Sequence, residues 1–452
     1  MASTNTRRRF GLLTLAGVLA AGTVAVLAPD AALAGGDSHG HGNGNGNGNG
    51  QGNGQGNGQG NGHGHGNGHP RSVIFINGDG MAAAQREAGR LDQVGFDGDL
   101  VMDQLPATGL QTTDPRDPEA TITDSAAAAT AWATGQKTFN GAISVDVDGN
   151  PLTPLGVEAD AAGLATGIVT TAQVTDASPA AFFSSVADRG QQSEIARQYL
   201  EVSHPEVILG GGEDRWLPAG DEGAFAPLGE ADDPEVSTAP TDLVAEAQSQ
   251  GYTYVNDAAG LADAAGSSDQ LLGLFANEEM FQQRPEGEGD VYDPVVPLAD
   301  MTSSALQVLD RNEDGFFLFV EEEGVDEMAH ENNATLMLEA MRQLDATVAV
   351  ARAYVAEHPD TLLVVTGDHE CGGLTVEGVD AADESGDGTT ISGEDGPFTV
   401  AGSDKQFFLD WTTTGHTGAP TPVTAEGPGS EQLIGYYPNT HIHDVLREVL
   451  LD

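Results

Sequence analysis

The chain has 452 residues, of which 70 are acidic and 17 are basic, so its formal net charge is −53 at pH 7. This charge repels polyanions and argues against nucleic acid as a partner. It also repels itself in dilute buffer, whereas salt near 1 M shortens the screening length to about 3 Å. The composition therefore predicts a halophilic protein.

Residues 1–34 have the pattern of an export signal. Arginines 7–9 and Phe10 precede the apolar run 11–28, and Ala32–Ala34 supplies small residues for cleavage. The arginine pair followed by phenylalanine is typical of a twin-arginine-type signal peptide. A membrane anchor is the alternative, but the run is short and a cleavage site follows it. We expect a secreted or cell-surface protein whose mature form has no membrane span.

Residues 35–70 form a Gly/Asn-rich segment with five histidines. Such a composition cannot bury a core, so it predicts a disordered linker. Its histidines are better explained as polar linker residues than as metal collectors. We expect residues 71–452 to form the catalytic domain, without an intrachain disulfide because Cys371 is the only cysteine.

Short apolar runs alternate with helical stretches after residue 71. The runs that predict strands are Val73–Ile76, Gly167–Thr170, Val207–Leu209, Phe316–Val320 and Leu362–Val365. Continuous apolar runs are typical of strands that are covered on both faces. With helices predicted over 193–199 and 334–356, the pattern indicates an α/β fold, a three-layer α/β/α sandwich around a large, mostly parallel sheet. The acidic, weakly periodic segment 213–300 is predicted to be a surface insertion.

The stretch around Ser125 predicts the start of a short helix. Asp124 is a favoured N-cap residue, a run of alanines follows, and Gly135 has the position of a C′ glycine. Ser125 would then lie beside unpaired backbone N–H groups, where an alkoxide or a bound anion is stabilised. Ser125 is therefore a candidate nucleophile, although a simple helix cap has the same pattern.

Carboxylates and histidines follow several of the predicted strands. These candidate ligands are Asp79, Glu321, Asp326, His330, Asp368 and His369. A further candidate, His416, lies in a predicted turn framed by Gly415 and Gly418. Asp326 and His330 are four residues apart, so in a helix they share one face. Carboxylate oxygens together with imidazole nitrogens are typical zinc ligands, whereas oxygen atoms alone are typical magnesium ligands. Acidic residues are common in this chain, so the histidines are better evidence of a metal site than the carboxylates are.

In combination and order, these motifs resemble those of the alkaline phosphatase family. The motifs are Thr123–Ala128 with Gly135, Asp326 with His330, Asp368-His369, and His416-Thr417-Gly418. The likeness runs from about Arg71 to the C-terminus, apart from the predicted insertion. It implies the family's sandwich fold, hydrolysis of phosphate monoesters and a homodimer.

The resemblance also implies roles for individual residues. Ser125 would be the nucleophile that becomes phosphorylated. Asp326, His330 and His416 would hold a first zinc ion that stabilises the leaving oxygen.

A second zinc ion would be held by Asp79, Asp368 and His369, and would activate the Ser125 hydroxyl. Asp79 would also contact one magnesium ion, together with Glu321 and Ser178.

Arg189 lies where the family's phosphate-binding arginine is found, and a guanidinium suits two phosphate oxygens at once. Asp124, Asp176 and Glu327 would lie behind the groups that bind metal or phosphate. Some bacterial members have lysine where this chain has Glu327, which predicts weaker phosphate binding and tighter magnesium binding. A Glu327 side chain that faces solvent is the alternative.

The sequence thus predicts an exported, metal-dependent phosphomonoesterase that scavenges phosphate at alkaline pH. A phosphodiesterase of the same superfamily is an alternative, although Arg189 favours monoesters because a diester blocks one of the oxygens it contacts. An arylsulfatase is disfavoured because the nucleophile region lacks the required Cys/Ser-x-Pro-x-Arg pattern. A non-catalytic, acidic cation-binding surface protein is the alternative from another class.

Overall fold

A computed structural model describes residues 71–221, 223–226, 237–281, 292–379 and 393–452. The predicted signal peptide (1–34) and linker (35–70) lie outside these residues. Within the part of the chain described, no helix is long and apolar enough to cross a bilayer.

The strands and helices alternate through most of the chain. The strands are β1 Ser72–Gly78, β2 Ala107–Thr112, β3 Ala165–Gln173, β4 Val207–Gly211, β5 Thr253–Val255, β6 Leu271–Leu274, β7 Phe316–Glu322, β8 Thr361–Thr366, β9 Glu370–Cys371, β10 Thr375–Gly378, β11 Gly393–Thr399, β12 Gln406–Trp411, β13 His416–Thr417, β14 Thr421–Glu426 and β15 Gly435–Pro438. The α-helices are α1 Ala83–Gln93, α2 Ser125–Thr134, α3 Leu155–Ala161, α4 Ala177–Phe183, α5 Gln192–Gln198, α6 Leu243–Gln250, α7 Ala258–Ala265, α8 Leu298–Leu309, α9 Gly324–His330, α10 Ala334–Glu357 and α11 Thr440–Leu451. Short 3₁₀ turns cover Met102–Gln104, Glu213–Trp216 and Ser430–Leu433, and Tyr199–Ser203 is a π-helical turn.

Within the described residues, ten strands form one central sheet in the order β15-β2-β14-β8-β1-β7-β3-β4-β6-β5. The pairs β1·β7, β1·β8, β3·β7, β3·β4, β4·β6, β5·β6 and β2·β15 are parallel. Only β14 runs against its two neighbours, β2 and β8. The predicted large, mostly parallel sheet is therefore confirmed.

Both faces of the sheet are covered, as the continuous apolar runs predict. Along β1, Val73 and Phe75 pack into one hydrophobic cluster, and Ile74 and Ile76 pack into another. The first cluster draws on α2 to α6 and α11, and the second on α1, α7, α8 and α10. All four β1 side chains are fully buried. The three-layer α/β/α sandwich follows directly from this alternation.

The segment 213–300 takes part in the sheet. Its strands β6 and β5 continue the sheet beyond β4 in parallel register. Leu271, Leu274 and Phe275 are fully buried. The segment that the sequence predicts as a surface insertion thus includes one edge of the central sheet.

Two smaller sheets lie outside the central one. Strands β10, β12 and β11 form an antiparallel three-stranded sheet, and β9 pairs with β13. In the β9–β13 pair, His416 is the partner of Cys371, and Thr417 is the partner of Glu370. This pair places His416 beside the Asp368-His369 segment.

Candidate active site

The candidate ligands gather at the carboxyl ends of three adjacent strands. Asp79 follows β1, Glu321 is near the end of β7, and Asp368 lies just beyond β8. In a parallel sheet these ends meet at one edge, where α/β proteins bind their ligands. Asp79 and Glu321 are each 1% exposed and Asp368 is fully buried. Buried carboxylates at this density require protons or cations to offset their charge.

Ser125 is the first residue of α2. The Asp124 side chain accepts a hydrogen bond from the Ala127 N–H at 2.9 Å, as expected of an N-cap. The helix ends at Gly135, whose φ of 70° suits a left-handed C-cap. Ser125 is 5% exposed. Its hydroxyl therefore lies at a buried, positively polarised helix end, as the sequence predicts.

A first cluster is formed by Asp326, His330 and His416. Asp326 and His330 are on one face of α9, and Asp326 Oδ2 lies 3.1 Å from His330 Nε2 and 3.7 Å from His416 Nε2. The Nδ1 atoms of both histidines face backbone carbonyl oxygens, that of Thr414 at 2.6 Å and that of Thr123 at 2.9 Å. A carbonyl oxygen only accepts, so each Nδ1 carries the proton. The two Nε2 atoms, 3.0 Å apart, are then available to a cation.

A second cluster contains Asp79, Asp368 and His369, whose ligand atoms lie within 4.8 Å of one another. His369 Nε2 is 3.0 Å from Asp368 Oδ2 and 3.5 Å from Asp79 Oδ1. The same Nε2 is 3.2 Å from Ser125 Oγ. This cluster therefore adjoins the candidate nucleophile, and a cation bound there would act on the serine hydroxyl.

Glu321 and Ser178 lie next to the second cluster. Ser178, in α4, donates a hydrogen bond to Asp79 Oδ2 at 3.4 Å. Glu321 accepts hydrogen bonds from Asn77 Nδ2 at 3.1 Å and from Thr170 Oγ1 at 2.7 Å. Hydroxyl and carboxylate oxygens are the ligands that magnesium prefers. The sequence predicts Glu321 and Ser178 as site residues, but no motif or spacing in it points to Asn77 or Thr170.

Several buried polar atoms at the centre of the site have no hydrogen-bond partner among the described residues. They are Asp79 Oδ1, Asp326 Oδ1 and His369 Nδ1. Burial raises the pKa of Asp79 well above its usual value, and the charges of Asp368 and Asp326 raise it further. Burial alone would lower the pKa of His330, but Asp326 outweighs this effect and raises it to about 9. Without a cation the site therefore retains protons, and the residues present fit divalent ions that would replace them.

Arg189 approaches the site from the segment between α4 and α5. Its Nη2 lies 2.9 and 3.0 Å from the two carboxylate oxygens of Asp176, and its Nη1 lies 3.7 Å from Asp124 Oδ2. Since Asp124 caps the helix that begins with Ser125, the guanidinium is tied to the nucleophile segment. The side chain is 33% exposed, which leaves part of the guanidinium accessible to an anion.

Glu327 is a half-buried residue of α9, next to Asp326 in the sequence. Burial raises the pKa of Glu279 to about 8, with a further contribution from Glu327. Burial also raises the pKa of Glu323, to which Asp176 and then Glu327 contribute. The charge of the half-buried Glu327 thus acts on these two carboxylates, and both its predicted effect on the site and the solvent-facing alternative stay predictions. Sequence reasoning did not single out Glu279 or Glu323, because acidic residues are so common in this chain.

Cys371 is a further residue that sequence reasoning did not place in the site. Its Sγ, with the ligand atoms of Asp326, His330 and His416, belongs to a group whose members all lie within 4.8 Å of one another. Burial, and next the charge of Asp326, raise the pKa of the Cys371 thiol. The sequence feature that could have indicated this role is that Cys371 lies two residues after His369.

Comparison with known proteins agrees with this geometry. Residues 70–401 match the family model described as alkaline phosphatase. The chain is 33% identical to streptomycin-6-phosphate phosphatase of Streptomyces griseus over 84% of this chain and 90% of that protein. It is 30% identical to alkaline phosphatase 3 of Bacillus subtilis over 82% and 87% of the two chains.

Among solved structures, the cold-active alkaline phosphatase of the psychrophile Shewanella sp. is similar, with a TM-score of 0.67 and 29% identity. The match covers 84% of this chain and 100% of the Shewanella chain. The family is metal-dependent, in agreement with the two candidate metal clusters. The chain belongs to the alkaline phosphatase family and is an alkaline phosphatase, a phosphomonoesterase.

Proposed function

We propose that this enzyme hydrolyses phosphate monoesters through a phosphorylated Ser125, at a site that holds two zinc ions and one magnesium ion. One observation carries the proposal: Ser125 Oγ lies 3.2 Å from His369 Nε2, at a buried helix N-terminus and beside a cluster of metal-binding groups. A serine in this setting is both activated and aligned with an anion-binding position.

The metal-binding groups divide into three sets. Asp326, His330 and His416 would hold the first zinc ion.

The second zinc ion would be held by Asp79, Asp368 and His369. Magnesium would take oxygen atoms from Asp79, Ser178 and Glu321. A mutant of the alkaline phosphatase from the Antarctic bacterium TAB5 has been solved with Mg bound, which supports magnesium as one of the ions.

The reaction would proceed by two displacements at phosphorus. When bound, the cations offset the negative charge of the site, favour the alkoxide form of serine and stabilise the leaving oxygen. Ser125 Oγ attacks phosphorus as the bond to the alcohol oxygen breaks, and the alcohol leaves. Water then attacks the phosphoserine, which restores the serine hydroxyl and releases orthophosphate.

Arg189 would bind two non-bridging oxygens of the phosphate in both steps. Asp176 and Asp124 orient its guanidinium, so less side-chain entropy is lost when the phosphate binds. A monoester has three non-bridging oxygens, two for Arg189 and one for the cations, whereas a diester has only two. For this reason we favour phosphomonoesterase over phosphodiesterase activity. The name of the Streptomyces griseus relative, a phosphatase for streptomycin 6-phosphate, supports the same substrate class.

The decisive experiment measures hydrolysis of an aryl phosphate in high salt, before and after chelation and with zinc and magnesium added back. The variant Ser125→Ala should abolish turnover and retain the metal content. The matched control Ser249→Ala, at an exposed serine in α6 that donates to the Glu246 carbonyl, should behave as wild type. Turnover that survives in Ser125→Ala would overturn the phosphoserine mechanism. A chain that binds metal without any turnover would favour the cation-binding surface protein.

The composition supports a proposal about where the enzyme works. We propose export through a twin-arginine-type pathway and function outside the cell in concentrated salt, as in a haloarchaeal-type secreted enzyme that scavenges phosphate. A net charge of −53 predicts that the unfolding temperature rises with salt concentration. An unfolding temperature that does not change between dilute buffer and molar salt would contradict the halophilic part.

We also propose a homodimer, as the family resemblance implies. Sedimentation equilibrium in high salt tests it, and a single species of one-chain mass would contradict it.

A further inference from the structure

The β9–β13 pair places Cys371 next to the first cluster (Asp326, His330 and His416). Cys371 is the antiparallel partner of His416, and its N–H donates to the Gly80 carbonyl oxygen at 3.2 Å. The side chain is fully buried and belongs to the hydrophobic cluster that also contains Leu374 and Trp411. The thiol therefore reaches the cluster from the protein interior.

The two oxygens of Asp326 have different surroundings. Oδ2 faces the imidazoles of His330 and His416 at 3.1 and 3.7 Å. Oδ1 is buried, lies 3.8 Å from Nδ1 of His369 and has no hydrogen-bond partner among the described residues.

Gly80 forms one wall beside this oxygen. A Cβ at Gly80 would lie 2.5 Å from Asp326 Oδ1, so the backbone passes too closely there for any side chain. The Cys371 Sγ lies within 4.8 Å of the Asp326 ligand atom, and its thiol is a weak hydrogen-bond donor on the side of this carboxylate that faces the protein interior.

We propose that Cys371 is a positioning residue for the first metal: its thiol donates a hydrogen bond to Asp326 Oδ1 and keeps Oδ2 directed at the cation. The inference rests on the proposed metal-dependent function and adds a residue to it. Partners behind metal ligands fix the orientation of those ligands and strengthen binding, and their loss usually costs about 10- to 100-fold in affinity. A sulfhydryl suits this position because its long bonds and polarizable sulfur fit an apolar wall and still reach the carboxylate.

A different role for the same thiol would be that of a fourth metal ligand. Two imidazoles, a carboxylate and a thiolate would complete a tetrahedral site, and zinc sites closed in this way are structural. A hydrolase needs an open position on the metal for the leaving oxygen. The location of Cys371 on the core side, among apolar residues, favours the positioning role.

The test compares Cys371→Val, which replaces the thiol by two methyl groups and removes the donor, with Cys371→Ser, which restores a donor. Zinc release from the holoenzyme to a chromophoric chelator should be about tenfold faster in Cys371→Val and close to wild type in Cys371→Ser. Cys371→Ala serves as a second donor-free variant if the valine variant fails to fold. Equal release rates from wild type, the serine variant and a donor-free variant would overturn the proposal.

Cadmium NMR of the cadmium-loaded holoenzyme distinguishes ligation by sulfur from ligation by nitrogen and oxygen. Wild-type resonances should lie in the range of nitrogen and oxygen ligands, and the first-site resonance should shift in Cys371→Val. A wild-type resonance in the range of sulfur ligands would overturn the positioning role in favour of ligation. If wild type binds no zinc, the proposed function fails; if wild type binds zinc and the donor-free variants release it at the wild-type rate, only this inference fails.

Discussion

The imidazole of His416 donates a hydrogen bond from Nδ1 to the carbonyl oxygen of Thr123 at 2.9 Å. Thr123 lies two residues before Ser125, so one contact joins a candidate metal ligand to the segment that carries the nucleophile. This contact fixes the tautomer of His416 and leaves Nε2 for the first metal. Metal binding and placement of the serine are therefore expected to depend on each other.

We expect His416→Ala to lose one metal ion per chain and to lower kcat/KM by at least roughly 100-fold, because both a ligand and this contact are removed. Elemental analysis and aryl phosphate kinetics measure the two effects. The control is His441→Ala, since His441 also donates to a backbone carbonyl, that of Gln432 at 2.9 Å, in another part of the fold. A full metal content in His416→Ala would rule out its role as a ligand.

Zinc uptake should strengthen as the pH rises towards 9. Asp326 raises the pKa of His330 to about 9 against the opposing effect of burial. Below that pH the ring holds a proton that zinc must displace, so affinity should increase about tenfold per pH unit between about pH 7 and 9 for this one proton. Competition with a chelator of known affinity measures this dependence. A zinc affinity of the first site that does not vary over this range would contradict the assignment of His330.

Arg189→Lys should weaken phosphate binding more than it slows the chemical step. A lysine cannot make the two parallel hydrogen bonds of a guanidinium, and losing one charge-assisted bond costs about 1.5–3 kcal/mol, or about 10- to 100-fold. Inhibition by inorganic phosphate and KM for an aryl phosphate should change by this factor. Arg197→Lys is the control, because Arg197 pairs with Glu194 and Glu201 on a helix surface. Equal effects of the two substitutions would contradict phosphate binding by Arg189.

Glu327→Lys should tighten inhibition by phosphate and weaken magnesium binding. The substitution replaces a negative charge beside Glu279 and Glu323 with a positive one, which favours the anion and opposes the cation. Glu327→Gln removes the negative charge without adding a positive one, and we expect it to fall between wild type and the lysine variant. Phosphate inhibition that is the same in all three proteins would show that Glu327 has no influence on the site.

The nucleophile helix could be predicted because its signals are local. Asp124 caps α2, Ser125 is its first residue, and Gly135 ends it in a left-handed conformation. Each of these positions depends on the preferences of one or two residues for a particular backbone geometry. Strands β1, β7 and β8 could likewise be predicted from their continuous apolar runs, but their adjacent positions in the sheet could not.

The rest depended on contacts between distant parts of the chain. The sequence predicts a glycine-framed turn at His416, whereas the structure pairs His416 with Cys371 in a two-residue strand. The hydrogen bond from Asn77 to Glu321 joins residues 244 positions apart, and an asparagine within a strand does not reveal its partner. Strands β5 and β6 were missed because their apolar runs are short and lie in an acidic segment.

The second metal cluster joins Asp79 to His369, and the first joins Asp326 to His416. A growing chain therefore lacks the second site until His369 has been synthesised, and it lacks the first site until His416, in the late strand β13, has reached β9. Divalent ions can therefore bind the full set of sites only in a chain that is almost complete. Any product truncated before His416 should therefore bind less metal than the full chain and be inactive. Metal content would then distinguish finished from unfinished molecules during cellular quality control.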